Sequence, residues 1–189
     1  MGGIFTATEV IGHRGLGRGV VDGHLENTPG SFVAAAAAGA DWVEIDVRRT
    51  ADDALVLYHD AALDDGRAIV DLTAAECAEA GLFGLEEGLA ALPDGVGLDV
   101  DVKTVMEDAV DAPARRTVAL LLPYLRKEVR RRRVFVCSFD PGLLRAVREE
   151  VPEVPTAWMP YVRNPAYTAI PGALGTGCPI VAVDARALG

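Results

Sequence analysis

Short apolar runs alternate with helical stretches along the chain, and the charged residues that interrupt them fall at regular places. Val10-Ile11-Gly12 predicts a brief strand that stops at His13-Arg14-Gly15. Thr28-Pro29-Gly30-Ser31 predicts a helix start, because Thr28 can cap the free amides of a first turn and Pro29 suits the first helical position. The alanine-rich stretch Val33 to Ala38 continues that helix, and Gly39 can end it in a left-handed conformation. Strands are expected at Trp42 to Val47, Leu55 to Tyr58, Gly97 to Lys103, Val134 to Ser138, Thr156 to Met159 and Ile180 to Asp184. Helices are expected at Leu72 to Ala80, Leu85 to Leu92, Arg115 to Arg131 and Pro141 to Glu150. A strand followed by a helix, about six times over, argues for a parallel sheet in an α/β domain.

Two of these strands carry acid at every second position. Side chains alternate across a strand, so Glu44 and Asp46 share one face while Val43, Ile45 and Val47 take the other. The same arithmetic sets Asp99, Asp101 and Lys103 against Leu98, Val100 and Val102. A solvated edge strand would explain one such pattern. Two of them, each bounded by residues of buried type, favour a bound divalent cation, since unpartnered buried charge is costly. Carboxylate oxygens suit a hard ion, Mg²⁺ or Ca²⁺, rather than zinc.

All three histidines lie in the first third of the chain. His13 and His59 each follow an apolar run, where a strand empties into a loop, and that is the active-site face of a β/α barrel. Either alone would be read as structural. As a pair beside a metal-held phosphate they could divide the work of general base and general acid. His24, in a Gly-rich loop, has no assigned role. Arg14 and Lys103 are the fixed cations near the expected metal: arginine offers a planar fork that fits phosphate oxygens, and lysine a point charge.

The formal net charge of -10 makes nucleic acid a poor partner and means that an anionic substrate needs a local cation. The basic run Arg126 to Arg133 is assigned to a helix end, where the helix dipole favours cations. Cys77, Cys137 and Cys178 are odd in number and widely spaced, which predicts buried thiols rather than disulfides or a zinc cluster. No run reaches the ~20 apolar residues of a membrane span, and Met1 to Thr8 lacks a leader pattern, so a cytoplasmic location is expected.

Gly12-His13-Arg14-Gly15, Glu26-Asn27-Thr28, Gly39 to Val47, Thr50, Asp52 and His59-Asp60 together resemble the glycerophosphodiester phosphodiesterase family. The likeness continues through Leu85-Glu86-Glu87 and Asp101-Val102-Lys103 to Ser138-Phe139 and fades after Pro152. It implies a (β/α)₈ TIM-barrel fold and a phosphoric diester hydrolase that converts glycerophosphodiesters to glycerol 3-phosphate and an alcohol. Carried over, Glu44, Asp46 and Asp101 bind the metal. His13 and His59 are the acid–base pair, Arg14 and Lys103 hold the phosphate, and Glu26 supports the site. Direct attack by water and initial attack by the glycerol hydroxyl both remain open.

Three departures are visible. Asp101 stands where the family usually has Glu, one methylene longer. The loop Leu16 to Leu25 is long and Gly-rich. A full barrel typically takes ~250 residues, whereas residues 1–189 show about six of eight β/α units, a single C-terminally truncated domain. Its open sheet edges are a route to self-association. Against hydrolysis of glycerophosphodiesters stand a related phosphodiesterase or lyase acting on another head group or a lysophospholipid, and an inactive fragment that binds phosphoesters or a protein.

Overall fold

A computed structural model of the chain describes residues 4–5, 7–161 and 166–188. Of the amino-terminal stretch expected to lack a leader, residues 1–3 and 6 lie outside the described ones. One eight-stranded sheet organises the molecule. Its parallel members are β1 (Ile11–Gly12), β4 (Trp42–Arg49), β7 (Gly97–Val102), β8 (Val134–Ser138), β9 (Thr156–Trp158) and β10 (Ile180–Val181). They lie side by side in that order, as six consecutive staves of a β/α barrel. Among the described residues no pairing joins β10 back to β1, so the barrel is open, as the count of strand patterns predicted.

Helices α1 (Pro29–Ala37), α3 (Leu85–Ala91), α4 (Thr117–Glu128), α5 (Pro141–Glu150) and α6 (Ala166–Thr176) connect the parallel strands. The caps are those the sequence specifies. The Thr28 hydroxyl accepts from the Ser31 amide, Pro29 opens α1, and Gly39 takes φ +94° just past the helix end. Asp140 caps α5 through bonds from the Gly142 and Leu143 amides.

The alternation in β4 and β7 sorts residues as expected. Val43, Ile45, Val47, Leu98, Val100 and Val102 face the helices and form the main core with Phe32, Leu89, Leu125 and Leu144. The opposite face looks into the barrel. At its amino-terminal end Trp42, Phe135, Cys137 and Ala157 close the floor, with Phe5 packed on both rings. Trp42 fits only because residue 97 is glycine: a Cβ there would sit 2.2 Å from the indole.

Four elements depart from the sequence reading. The Leu55–Leu57 run is a strand, β5, but it is antiparallel to the end of β4 and extends through β6 (Phe83–Gly84) as a side sheet. Helix α6 was not expected, because Pro171, Gly172 and Gly175 are poor helix formers; tertiary packing of Ala169 and Ala173 overrides them. The loop Leu16 to Leu25 contains a hairpin of β2 (Val20–Val21) and β3 (His24–Leu25), turned by Asp22-Gly23 with both φ positive. Asp-Gly is a strong two-residue hairpin signal, so this strand was legible. The helix expected at Leu72 to Ala80 is shorter, α2 (Ala74–Glu79), and starts at a capping box formed by Thr73 and Glu76.

The basic run has a structural task. Glu128 is buried and accepts from Arg131 at 3.0 Å and Arg132 at 2.9 Å. Arg132, buried too, donates to the carbonyls of Leu92, Pro93 and Val96, tying α4 to the loop after α3. Arg133 lies 4.5 Å from the Trp42 ring centroid and pairs with Glu9. Arg132→Ala strips the partner from Oε2 of buried Glu128, leaving Arg131 on Oε1, and strands three carbonyls; it is expected to lose about 3–5 kcal/mol in urea-induced unfolding. A loss below about 1 kcal/mol, the range of surface pairs, would show that the network is solvated.

Candidate functional site

The barrel interior holds four carboxylates from two adjacent strands. In the parallel register Glu44 lies opposite Asp99 and Asp46 opposite Asp101. All four are buried, with relative exposures of 6%, 1%, 7% and 6% for Glu44, Asp46, Asp99 and Asp101. This excludes the solvated-edge reading of these strands. Oxygens of Glu44, Asp46 and Asp101 lie within 4.8 Å of one another. The shorter side chain at 101 therefore still reaches the group.

Two cations are threaded into this cluster. The Lys103 ammonium pairs with Asp101 and lies 3.0 Å from Asp46 Oδ1. Arg14 Nε lies 3.2 Å from Asp46 Oδ2, and Nη1 donates to Glu26 Oε1 at 2.9 Å. The Arg14 amide donates to Glu44 Oε2 at 2.7 Å, which requires the left-handed turn at Arg14, φ +57°. Glu26 in turn accepts from the Gly19 amide, so the glycine-rich loop is anchored by the residue expected to support the site.

These cations do not balance the four acids. Burial, then repulsion from Asp46, Asp99 and Asp101, pushes the Glu44 carboxyl well above its ordinary range. Burial raises Asp99 to about 8 despite the Cys137 hydrogen bond. Burial also raises Asp101, against the pull of Lys103. Lys103 is raised: burial opposes its charge, but Asp101 and Asp46 outweigh burial. Asp101 Oδ1 is buried without a hydrogen-bond partner. An all-oxygen trio with an unpartnered buried oxygen and excess negative charge fits a hard divalent cation.

His13 stands in the turn after β1, adjacent to Arg14, and His59 at the end of the chain leaving β5. Burial, then the Arg14 charge, lowers the His13 pKa, while Asp46 and Glu26 act the other way. His59 Nδ1 lies 2.6 Å from Asp60 Oδ1. The His59 carbonyl accepts from Arg48 Nε at 2.9 Å and Nη2 at 2.5 Å. The structure thus gathers every residue expected at the site around the mouth of β1, β4 and β7. Thr50 and Asp52 lie apart from it. Asp52 accepts from Thr50 Oγ1 and from the Ala74 amide, shaping the turn before β5 and the start of α2.

Several contributors had no role assigned from sequence. Asn27, buried at φ +54°, donates from Nδ2 to Asp46 Oδ2 at 2.8 Å and accepts from the Asp46 amide at 3.0 Å. This reciprocal pair fixes the Asp46 rotamer. An asparagine in a strand-to-helix loop, able to take positive φ, was the available signal. Cys137 was expected as an inert buried thiol; it is buried, and its Sγ donates to Asp99 Oδ1 at 3.1 Å. Arg48 orients His59 through its carbonyl, which β4's alternation alone could have suggested.

Parallel β/α staves with a buried acidic trio and two cations at their mouth define the class: a β/α barrel whose centre is of a kind that suits a hard divalent cation. The chain belongs to the Glycerophosphoryl diester phosphodiesterase family, whose sequence model matches residues 13–183. Over 58 residues, 29% of this chain, it is 50% identical to the glycerophosphocholine phosphodiesterase GDE1 of Eremothecium gossypii; the match spans 4% of that much longer protein. The fold is similar to a proposed glycerophosphoryl diester phosphodiesterase from Agrobacterium tumefaciens, with TM-score 0.78 and 26% identity over 96% of this chain and 77% of that one. It is also similar to an Oleispira antarctica phosphodiesterase solved with sn-glycerol 3-phosphate, with TM-score 0.71 and 22% identity over 93% and 74% of the two chains.

A carboxyl with a raised folded-state pKa favours folding at low pH and costs stability as pH rises through that raised value. Glu44→Gln removes this cost while its amide oxygen can still accept from Arg14. The metal-free variant is expected to melt a few degrees above the parent at pH 7–8 (a shift of that size is about 1 kcal/mol) and to lose the Mg²⁺- or Ca²⁺-induced rise expected of the parent. A variant that melts lower and still responds to the ions overturns the assignment of Glu44 as a ligand.

Proposed function

We propose that this chain hydrolyses glycerophosphodiesters to glycerol 3-phosphate and an alcohol with the help of one divalent cation, Mg²⁺ or Ca²⁺. The reading rests on the convergence of Glu44, Asp46 and Asp101 with Arg14 and Lys103, flanked by two histidines. Family membership and the named activity of the matched relative support it. Residues 1–189 are read as one domain. Three free, buried cysteines agree with a reducing, cytoplasmic setting.

Held by Glu44, Asp46 and Asp101, the cation would polarise a phosphoryl oxygen and offset the charge that develops on it. Arg14 and Lys103 take the remaining phosphate oxygens. Their ion pairs with Asp46 and Asp101 hold both cations in place before substrate arrives, so little reorganisation is needed on binding. His13, its pKa lowered by burial and by Arg14, stays neutral near pH 7 and removes a proton from the attacking hydroxyl, whether of water or of the glycerol itself. Asp60 holds His59 through Nδ1, leaving Nε2 to deliver a proton to the departing alkoxide. Asn27 and Arg48 hold Asp46 and His59 in register for this exchange.

The test is release of glycerol 3-phosphate from glycerophosphodiesters by the purified chain with Mg²⁺, with Ca²⁺ and with a chelator. Release is expected only with metal. His13→Ala and His59→Ala are each expected to lower kcat by ~10²–10⁴ with an unchanged circular-dichroism spectrum. Full activity in either folded variant would remove that histidine from the mechanism.

A further inference from the structure

Among the described residues four arginines are buried: Arg14, Arg48, Arg49 and Arg132. Arg14, Arg49 and Arg132 each have a carboxylate within ion-pair distance. Arg48, only 9% exposed, has none among the described residues. Strand alternation sets its place, two residues beyond Asp46 on the inward face of β4, at the end where the site opens. Nε and Nη2 both donate to the His59 carbonyl, which occupies one edge of the guanidinium. The other edge, carrying Nη1, has no acceptor among the described residues. Burial works against the Arg48 charge, and Asp46, Asp60 and Asp101 favour it only from beyond ion-pair distance. Arg48 lines a cavity of about 350 Å³ together with His59, Asp60, Lys103, Thr104 and Tyr161. A buried cation without a counter-ion is costly, and this one borders open space in which a ligand can supply the negative charge.

We infer that this cavity receives the departing alcohol and that Arg48 selects a small alcohol carrying a carboxylate. The inference rests on the reaction proposed above and names the class of alcohol. A general acid must stand within hydrogen-bond reach of the leaving oxygen, so the alcohol lies on the His59 side, where Arg48 stands. A carboxylate is planar and accepts two parallel bonds from a guanidinium edge, the geometry that Arg48 leaves free. Lys103 does not compete for it, being paired with Asp46 and Asp101. Asp60 is engaged by His59 Nδ1, and its charge opposes a single carboxylate less than a doubly charged phosphate. An alcohol carrying only a cation would bring that cation against Arg48.

Glycerophosphoserine and glycerophosphoethanolamine differ by one carboxylate and share the ammonium. Their kcat/KM values are compared on the metal-loaded full chain, in the parent, Arg48→Gln and Arg48→Lys. The ratio, serine substrate over ethanolamine substrate, is expected to be about ten in the parent, in line with one charge-assisted pair. It should fall to about one in Arg48→Gln and be kept in part by Arg48→Lys, which retains the charge without the fork. Loosening of His59 lowers kcat for both substrates alike, so the ratio reads recognition alone. A parent ratio at or below one overturns the inference without any variant, and so does a ratio unmoved in folded Arg48→Gln; both leave the hydrolytic reading intact. Should neither diester be cleaved, the hydrolytic reading fails by itself, and calorimetric titration with O-phosphoserine and phosphoethanolamine then decides. Tighter binding of O-phosphoserine, lost in Arg48→Gln, supports the inference; equal binding of the two, or none, overturns it.

Discussion

Four carboxylates in two neighbouring registers of one parallel sheet are the constraint to which the rest of the molecule answers. Glu44, Asp46, Asp99 and Asp101 are forced together by the pairing of β4 with β7, and the apolar partners of those residues are the core. Moving either strand by one residue would turn the acids onto the helices and the valines into the barrel. The fold and the electrostatic problem are therefore specified by the same alternation. Arg14 and Lys103 reduce the problem, and Cys137 relieves Asp99, but Asp101 Oδ1 stays buried without a hydrogen-bond partner and burial holds the Glu44, Asp99 and Asp101 carboxyls above their ordinary range.

The floor of the barrel leaves these acids one open side. Trp42, Phe135 and Phe5 pack with ring centroids 5.3–5.7 Å apart, so the amino-terminal end of the sheet is sealed by aromatic carbon. Water and ions reach the acids from the opposite end, where Arg14, His59 and the loop anchored by Glu26 stand. Directional access follows from residue size: glycine at 97 lets tryptophan lie flat across the bottom.

Much of this was legible in the chain. Period-two alternation predicted both acidic strands and their faces, because strand geometry admits one answer when every second residue is Val, Ile or Leu. Thr28-Pro29 and Pro141 marked helix starts by chemistry local to each turn. Less accessible were features decided by distant partners. Whether Leu55–Leu57 joins the barrel or turns back depends on which edge of β4 is free, and α6 forms against the propensity of Pro171, Gly172 and Gly175. The proposed metal ligands and cations could be named from sequence. Asn27 and Arg48 left only weak signals, an asparagine able to take positive φ and a place on the inward face of β4, since their contribution is an orientation imposed on another residue across 19 and 11 positions of chain.

The edge of β4 is shared in an unusual way. Its first two residues take β1 as neighbour and its last three take β5, so among the described residues no strand lies beside the stretch between, Glu44 to Asp46, on that side. Side chain and loop fill the interval: the Asn27 amide group receives the Asp46 N–H, the Tyr58 N–H closes on the Asp46 carbonyl, and the Arg14 N–H closes on Glu44. The acidic centre thus occupies a seam in the sheet rather than its continuous fabric. Loops bordering a seam can be lengthened, exchanged or re-aimed without unzipping a ladder, and a lineage built on this plan can change what it accepts while its strands stay as they are.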